Sequence, residues 1–290
     1  MCGGLGNQLF QYAAAKNLSL INDRELHIDS ITGFWTDFRD FCRFDLNKKN
    51  LRQSKIKFII IIYIIYRFLN KLFKFKKLFV NLFGFTIVDE TNLNYFEKKI
   101  KNLNKFNNVY LIGYFQSEKY FIDNNKKILA ELRPAIPQNK AYHLMKNKML
   151  KSNSVSLCIR LHETMPNNIR YKVGGLTTNQ FYKKSIKKMI KNIKKPEFFI
   201  FSTKKKNIEN ILKNFPILKK YKINIITGDL GFKDAYDNIW LLSHCKNHII
   251  SNSTLYWWGA YFSTTKYKNK IICCANNFHN IDTCLNDWKI

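Results

Sequence analysis

The sequence predicts an α/β protein in two halves, and three observations carry that reading. Its 290 residues suffice for two units of ordinary size, each with its own core. Near the start, the glycine-rich stretch Gly3 to Gly6 runs straight into a helical pattern. In the second half, apolar runs such as "FFIFS" alternate with helical stretches, the βαβ rhythm of a parallel sheet.

The first element is "GGLGNQLFQYAAAK", Gly3 to Lys16. Three glycines in four positions give backbone freedom and let main-chain N–H groups approach a bound group. Phe10, Ala14, Leu18 and Ile21 repeat at helical spacing and predict a face packed inward. Asn7 sits where an N-cap belongs. A glycine loop at a helix N-terminus suits an anion, although a plain tight turn reads the same residues equally well. Leu26 to Asp29 reads as a short strand, and "FWTDFRDFCRFDL" after it as irregular surface.

The run "FIIIIYIIY", Phe58 to Tyr66, is too short for the roughly 20 residues of a transmembrane helix. The basic, apolar "RFLNKLFKFKKLFVNLFGF" that follows reads as a core-packed helix with a solvated face, with a membrane-interface segment as the other reading. Val109 to Phe121 reads as a buried strand, a glycine turn and a helix start. Pro134 and Pro137 make a linker, and the boundary between the halves is expected near residue 150. Val155, Leu157 and Ile159 alternate with Ser156, Cys158 and Arg160, a strand ending in an arginine where open α/β sheets place ligands. Thr178 or Asn179 caps the next helix, and "FFIFS" is a fully apolar strand. Ile239, Leu242 and Cys245 form a helical face, His248 to Ile250 a strand, and Ser251, Asn252, Ser253 and Thr254 a polar loop at a further helix start. Trp257, Trp258 and Tyr261 read as core packing rather than a base-stacking platform.

The formal charge is +29, yet the basic residues are spread over both halves without a nucleic-acid motif. The charge instead favours anionic ligands and anionic lipid surfaces, and no nucleic-acid partner is expected. Seven cysteines without a regular framework, and no secretory signal, read as a cytoplasmic setting, peripheral at most to a membrane's inner face. Neither Cys273, Cys274, His279 and Cys284 nor His244, Cys245 and His248 has the CxxC pairing of a structural zinc site, so no metal is expected.

"GGLGNQLFQYA" resembles the N-terminal motif of the bacterial α-1,2-fucosyltransferases, glycosyltransferase family 11, and includes the Asn7–Gln8 pair that a generic glycine loop would not need. Family members carry a short strand before this loop, where here Met1 and Cys2 stand. "GYFQSEKYF", the stretch Asp234 to Phe262 and the closing "NDWKI" resemble the family as well. Against the family's HxRRxD motif, Cys158 stands at the His position, Arg160 matches the first Arg, Leu161 replaces the second and Glu163 takes the Asp position. Thr203 and Lys204 stand where the family carries acidic residues after the "FFIFS" strand.

The resemblance implies a GT-B fold, two Rossmann-like domains facing a cleft, with an acceptor-side domain over 1–150 and a nucleotide-sugar domain over 151–290. It implies an inverting α-1,2-fucosyltransferase that uses GDP-β-L-fucose, no cofactor, and a galactose-type glycan acceptor that a lipid could carry. Expulsion of a diphosphate needs a metal or a preorganised cation, and the chain has no Asp-x-Asp clamp, so the expectation falls on Arg160. Ser251 to Thr254 would hold the diphosphate with it, and Asp237 would cap a helix or bond the donor. Asn7 with Gly4, Gly6 and Gln8 would shape the opposite wall. Glu163 and the N-terminal aspartates Asp29, Asp37 and Asp40 are the candidate bases. The alternatives are another linkage or GDP-sugar, a family member that binds glycan without turnover, and a basic nucleic-acid-binding protein.

Overall fold

The computed structural model describes residues 1–34, 52–53, 56–73, 79–90, 94–103, 108–161 and 175–290. Asp37, Asp40 and Glu163, with most of the "FWTDFRDFCRFDL" segment, lie outside the described residues. The chain divides into two units, Met1–Leu132 and Arg133–Ile290. The division falls just before the Pro134–Pro137 stretch, earlier than residue 150. The reason is α4 (Lys140–Lys151), which packs on the second unit: the Tyr142 ring lies 4.9 Å from Phe232, and Lys146 sits 5.5 Å over Trp240.

Unit 1 opens with α1 (Leu5–Ile21), then β1 (His27–Ile28), β2 (Arg52–Gln53), α2 (Ile56–Phe73), β3 (Phe79–Leu82), β4 (Phe85–Asp89), β5 (Asn108–Ile112) and α3 (Asn125–Leu132). Phe10, Ala14 and Leu18 are buried as the spacing predicts, whereas Ile21 is exposed at the last turn of α1. Ala14 and Leu18 join Val88, Ile100, Leu103, Phe115 and Tyr120 in one cluster. β1 and β2 form a parallel pair, and β3, β4 and β5 a separate sheet in that order.

That sheet differs from the Rossmann-like order expected of this half, because β3 and β4 are antiparallel and only β4 and β5 run parallel. Phe83 (φ 47) and Gly84 (φ 77) explain the difference. Positive φ at both residues of a two-residue loop matches the twist of a hairpin and turns the chain back on itself. The basic, apolar segment read as one helix therefore divides, ending α2 at Phe73 and supplying β3. The Val109–Phe121 segment gives the half-buried β5, a turn at Gly113 and a single 3₁₀ turn, Glu118–Tyr120.

Unit 2 continues from α4 into β6 (Asn153–Cys158), α5 (Asn179–Asn192), β7 (Pro196–Ser202), α6 (Lys205–Asn214), β8 (Ile223–Thr227), α7 (Ala235–Leu242), β9 (Asn247–Ile250), α8 (Thr254–Ser263) and β10 (Ile272–Cys274). Its five strands are all parallel, in the order β10–β9–β6–β7–β8. This is the doubly wound order, and its reversal point lies between β6 and β9, where open α/β sheets bind ligands.

Val155, Leu157 and Ile159 of β6 face a core shared with Phe198 and Ile200 of β7, Tyr182, Ile186 and Met189 of α5, and Ile208 and Ile211 of α6. β7 is buried along its whole length, as a central parallel strand must be. The Thr178 hydroxyl caps α5 by accepting from Phe181 N. Trp257, Trp258 and Tyr261 are core: Trp257 stacks on Tyr261 at 4.5 Å, packs 5.6 Å from Trp288 of the closing "NDWKI" segment and donates Nε1–H to Thr283 O at 2.7 Å. α7 meets α8 where a Cβ on Gly259 would lie 2.3 Å from Leu242 Cδ2.

Candidate active site

The carboxyl ends of β6 and β9 are adjacent through the pairing of Cys158 with Ile250. Ile159 prolongs β6 by donating its N–H to Phe201 O at 2.8 Å, so Arg160 is the next residue past the sheet edge. Two buried tyrosines fix this end, Tyr182 donating to Cys158 O and Tyr256 to Ile159 O, each at 3.3 Å. Alternation then sends Leu157, Ile159 and Leu161 to the core face and Ser156, Cys158 and Arg160 to the other. This explains the apolar residue at the motif's second Arg position, since Leu161 packs against the core beside Ile159. Arg160 is half-buried, and its guanidinium has no ion-pair or hydrogen-bond partner among the described residues. An arginine is always charged and presents five donors, so this position offers an unspent cation at the strand-order reversal.

The loop after β9 supplies its neighbours, with the roles divided. Ser251 is buried, and its hydroxyl faces Tyr182 together with that of Thr177. Asn252 is a strut: its N–H donates to Thr177 Oγ1 at 3.0 Å and its side chain to Gly175 O at 3.3 Å, where Asn277 also donates at 2.9 Å. Ser253 occupies the N-cap position of α8 without a side-chain cap, and Thr254 begins the helix. First-turn amides of a helix have no partner within the helix and carry the positive end of its dipole. Arg160 and the first-turn amides of α8 are therefore the part of the expected set suited to an anion, while Asn252 holds the framework.

Beneath the edge runs a buried polar row. Ser156 Oγ lies 2.8 Å from His248 Nδ1, and Cys158 Sγ 3.8 Å from Ser156 Oγ. Burial pushes His248 down to about 3, so it is neutral at working pH, and pushes the Cys158 thiol well above its ordinary range. Burial thus disfavours both the Cys158 thiolate and the His248 imidazolium.

Asp237 lies in the first turn of α7, donating its N–H to the Asp234 carboxylate at 2.9 Å, so the cap is Asp234. The hydroxyl of Tyr142 on α4 is pushed up first by burial and then by the charges of Asp237 and Asp234. A carboxylate that sequence reasoning missed stands near Thr203 and Lys204. Asp229, from the loop after β8, accepts from Lys205 N at 3.0 Å and from Thr227 Oγ1, and Gly228 N donates to Thr203 O at 3.1 Å. The signal was Thr-Gly-Asp directly after an apolar strand.

In unit 1 the glycine motif and the "GYFQSEKYF" segment come together. Gly3 (φ 73) must be glycine, because a Cβ there would lie 2.6 Å from Asn7 Nδ2. Asn7 is not the N-cap: Gly4 takes that place, extended at φ −73 and ψ 168, and accepts the N–H groups of Asn7 and Gln8, so α1 starts before Asn7. The Asn7 side chain instead accepts from Gln116 Nε2 at 3.0 Å. Gln8, fully buried, donates to Gly3 O at 2.7 Å, and Gly6 is buried inside the first turn of α1. Gln11 bridges Cys2 and Gly113, accepting from Cys2 N at 3.0 Å and donating to Gly113 O at 3.0 Å. Asn17 donates to Tyr120 O at 2.8 Å.

Glu90 is a further residue the sequence did not single out. It is buried, accepts from Phe115 N, and bonds Tyr120. Its Cβ leaves no room for one on Gly113, the two lying 2.4 Å apart if Gly113 were substituted. Asp29 is spent locally. Burial raises its carboxyl, but hydrogen bonds from Thr32 Oγ1, the Ile31 and Thr32 amides and Tyr110 OH outweigh this and leave it below the usual range. A carboxylate holding four donors is a poor proton acceptor.

Comparison with known proteins follows the same lines. The family model described as glycosyl transferase family 11 matches residues 1–289. An α-1,2-colitosyltransferase of Escherichia coli is 31% identical over 270 residues, covering 90% of this chain and 85% of its own. The O-antigen biosynthesis glycosyltransferase WbnK of Escherichia coli is 30% identical over 286 residues, covering 94% and 91%. No solved structure matches the chain. With the family model spanning almost every residue, and the motif segments converging within unit 1 and bordering the sheet reversal in unit 2, the chain belongs to glycosyl transferase family 11 and is a glycosyltransferase.

Proposed function

We propose that this glycosyltransferase moves L-fucose from GDP-β-L-fucose to the 2-hydroxyl of a galactose-type residue on a glycan, with inversion and without metal. The acceptor oxygen attacks the sugar C1, the bond from C1 to the β-phosphate oxygen breaks, and GDP leaves with the bonding electrons. The acceptor proton passes to a base, for which Glu163 is the carboxylate nearest Arg160 in sequence. The transition state resembles an oxocarbenium ion, and negative charge grows on the leaving diphosphate. The observation that carries the reading is the half-buried Arg160 guanidinium, without an ion-pair or hydrogen-bond partner among the described residues, beside the loop that starts α8. A fixed cation and first-turn amides match that charge without reorganisation. The GT-B arrangement implied by the family resemblance is part of this proposal, and a lipid-carried acceptor would bring the enzyme to a membrane surface.

A second reading keeps the chemistry and changes the donor sugar; the relative named as an α-1,2-colitosyltransferase favours it. One assay separates the two. The protein is incubated with a β-galactoside and GDP-fucose, or another GDP-sugar, in EDTA, and released GDP is measured. Turnover with GDP-fucose that EDTA leaves unchanged is expected. Turnover with another GDP-sugar alone moves the assignment to the second reading, and loss of turnover in EDTA overturns the metal-free mechanism.

A further inference from the structure

α2 has two apolar faces, and the fold uses one. On the inner face Ile62 and Tyr66 pack with Ile87 of β4, flanked by Val80, Leu82, Phe85, Tyr110 and Ile112. Tyr66 OH also donates to Asp89 at 2.6 Å. On the outer face Ile61, Ile64, Phe68 and Leu72 recur at i, i+3, i+7 and i+11 and are 51%, 50%, 62% and 58% exposed. At about 100° per residue these four fall within an arc of roughly 80°, opposite the buried residues. A helix on the surface of a water-soluble unit ordinarily turns a polar face outward.

Charge selects the occupant. The exposed Arg67 and Lys71 flank the stripe on one side. Between Leu46 and Val88 the sequence carries ten Lys and Arg and no Asp or Glu. A second copy of the chain would set those cations against an equal number of their own kind, whereas an anionic bilayer complements them and accepts the apolar stripe. Among the described residues no helix is long and apolar enough to cross a membrane, so the contact lies along the surface.

We infer that the outer face of α2 docks this protein on an anionic lipid bilayer, with Ile61, Ile64, Phe68 and Leu72 in the headgroup–acyl boundary and Arg67 and Lys71 on lipid phosphates. The inference stands on α2 and not on the reading of donor or acceptor.

The test is co-sedimentation with vesicles of phosphatidylcholine alone and of phosphatidylcholine and phosphatidylglycerol in equal parts. Binding to the mixed vesicles and not to the neutral ones is expected. A variant carrying I61S, I64S, F68S and L72S should bind the mixed vesicles at least about tenfold more weakly. R67Q and K71Q should each cost about fivefold. Because the four side chains are already exposed, the variant should keep the urea midpoint of the wild type; if it does not, F68S alone serves, with a smaller loss. GDP release on a soluble acceptor reads the transferase separately and should be unchanged in these variants. Undiminished binding by the serine variant would mean that net charge alone attracts the vesicles, and would overturn the inference. So would a wild-type dimer that the serine variant converts to monomer with vesicle binding intact.

Discussion

Two helix starts carry the family's motifs, and they spend their polar groups differently. At α1 the glycine loop is wired inward: Gln8 holds Gly3, Gln116 holds Asn7, and Gln11 holds Gly113. At α8 the loop after β9 spends Asn252 on Thr177 and Gly175, while Ser253 stands at the N-cap without a side-chain cap beside Arg160, whose guanidinium has no partner among the described residues. A motif can mark a joint or a ligand site, and the hydrogen-bond partners tell which. The α1 motif ties its own helix start to the Gly113–Gln116 segment of unit 1, and in the proposed mechanism the diphosphate is held by unit 2.

The largest expected contrast is between Arg160 and Asn7. Arg160→Ala should lower GDP release by about 10²–10³-fold with little change in stability, whereas Asn7→Ala should lower stability and cost turnover less than about tenfold. If Asn7→Ala abolishes turnover in a protein that melts like the wild type, the comparison breaks.

Next in size is the joint's own geometry. Gly113→Ala adds a Cβ against Glu90 at a φ of 147 and should destabilise unit 1 by about 3 kcal/mol in urea, while Gly259→Ala, which presses on Leu242 without a positive φ, should cost about 1–2 kcal/mol in unit 2. Equal losses would mean that the loop near Glu90 gives way more readily than its packing suggests.

Acid should single out unit 2. His248, held near 3 when folded and near 6.5 when unfolded, binds no proton in the native state between those values while the unfolded chain does. Its effect is absent above pH 6.5 and destabilises increasingly below it, by about 2 kcal/mol between pH 7 and pH 5. His244, pushed down to about 4 by burial and then by Lys266, acts in the same direction. A urea midpoint measured at both pH values checks this, and a His248→Gln variant should show the shallower slope.

The smallest effect sharpens the joint itself. Gln116→Ala and Asn7→Ala should be non-additive, with a coupling of about 1 kcal/mol in a double-mutant cycle. Additive losses would show that the 3.0 Å contact contributes nothing.

Much of unit 2 was legible in the sequence. The apolar run of β7, the alternation of β6 and the Thr178 cap are local signals, and the tertiary structure agrees with each. The strand reversal beside Arg160 was readable only as an expectation, because strand order is set by pairing between residues about ninety positions apart. Unit 1 was harder. The hairpin at Phe83–Gly84 hides in a basic, apolar stretch whose composition suits a helix, and the turn is betrayed by one glycine after a residue that rarely takes positive φ. Asn7 read as a cap because its residue type prefers that place, but extended Gly4 takes it. Glu90 and Asp229 act only through segments distant in sequence, so no local pattern announces them.

The thiols follow the same division. Among the described residues Cys2 of unit 1 is half-buried, while Cys158, Cys245, Cys273, Cys274 and Cys284 of unit 2 are all buried and free. A thiol reagent added to the native enzyme can reach those five only when unit 2 opens. Read cysteine by cysteine in a mass spectrometer, their labelling times would form a clock for the opening of the sheet, and a donor held at the reversal point, as proposed, should slow that clock.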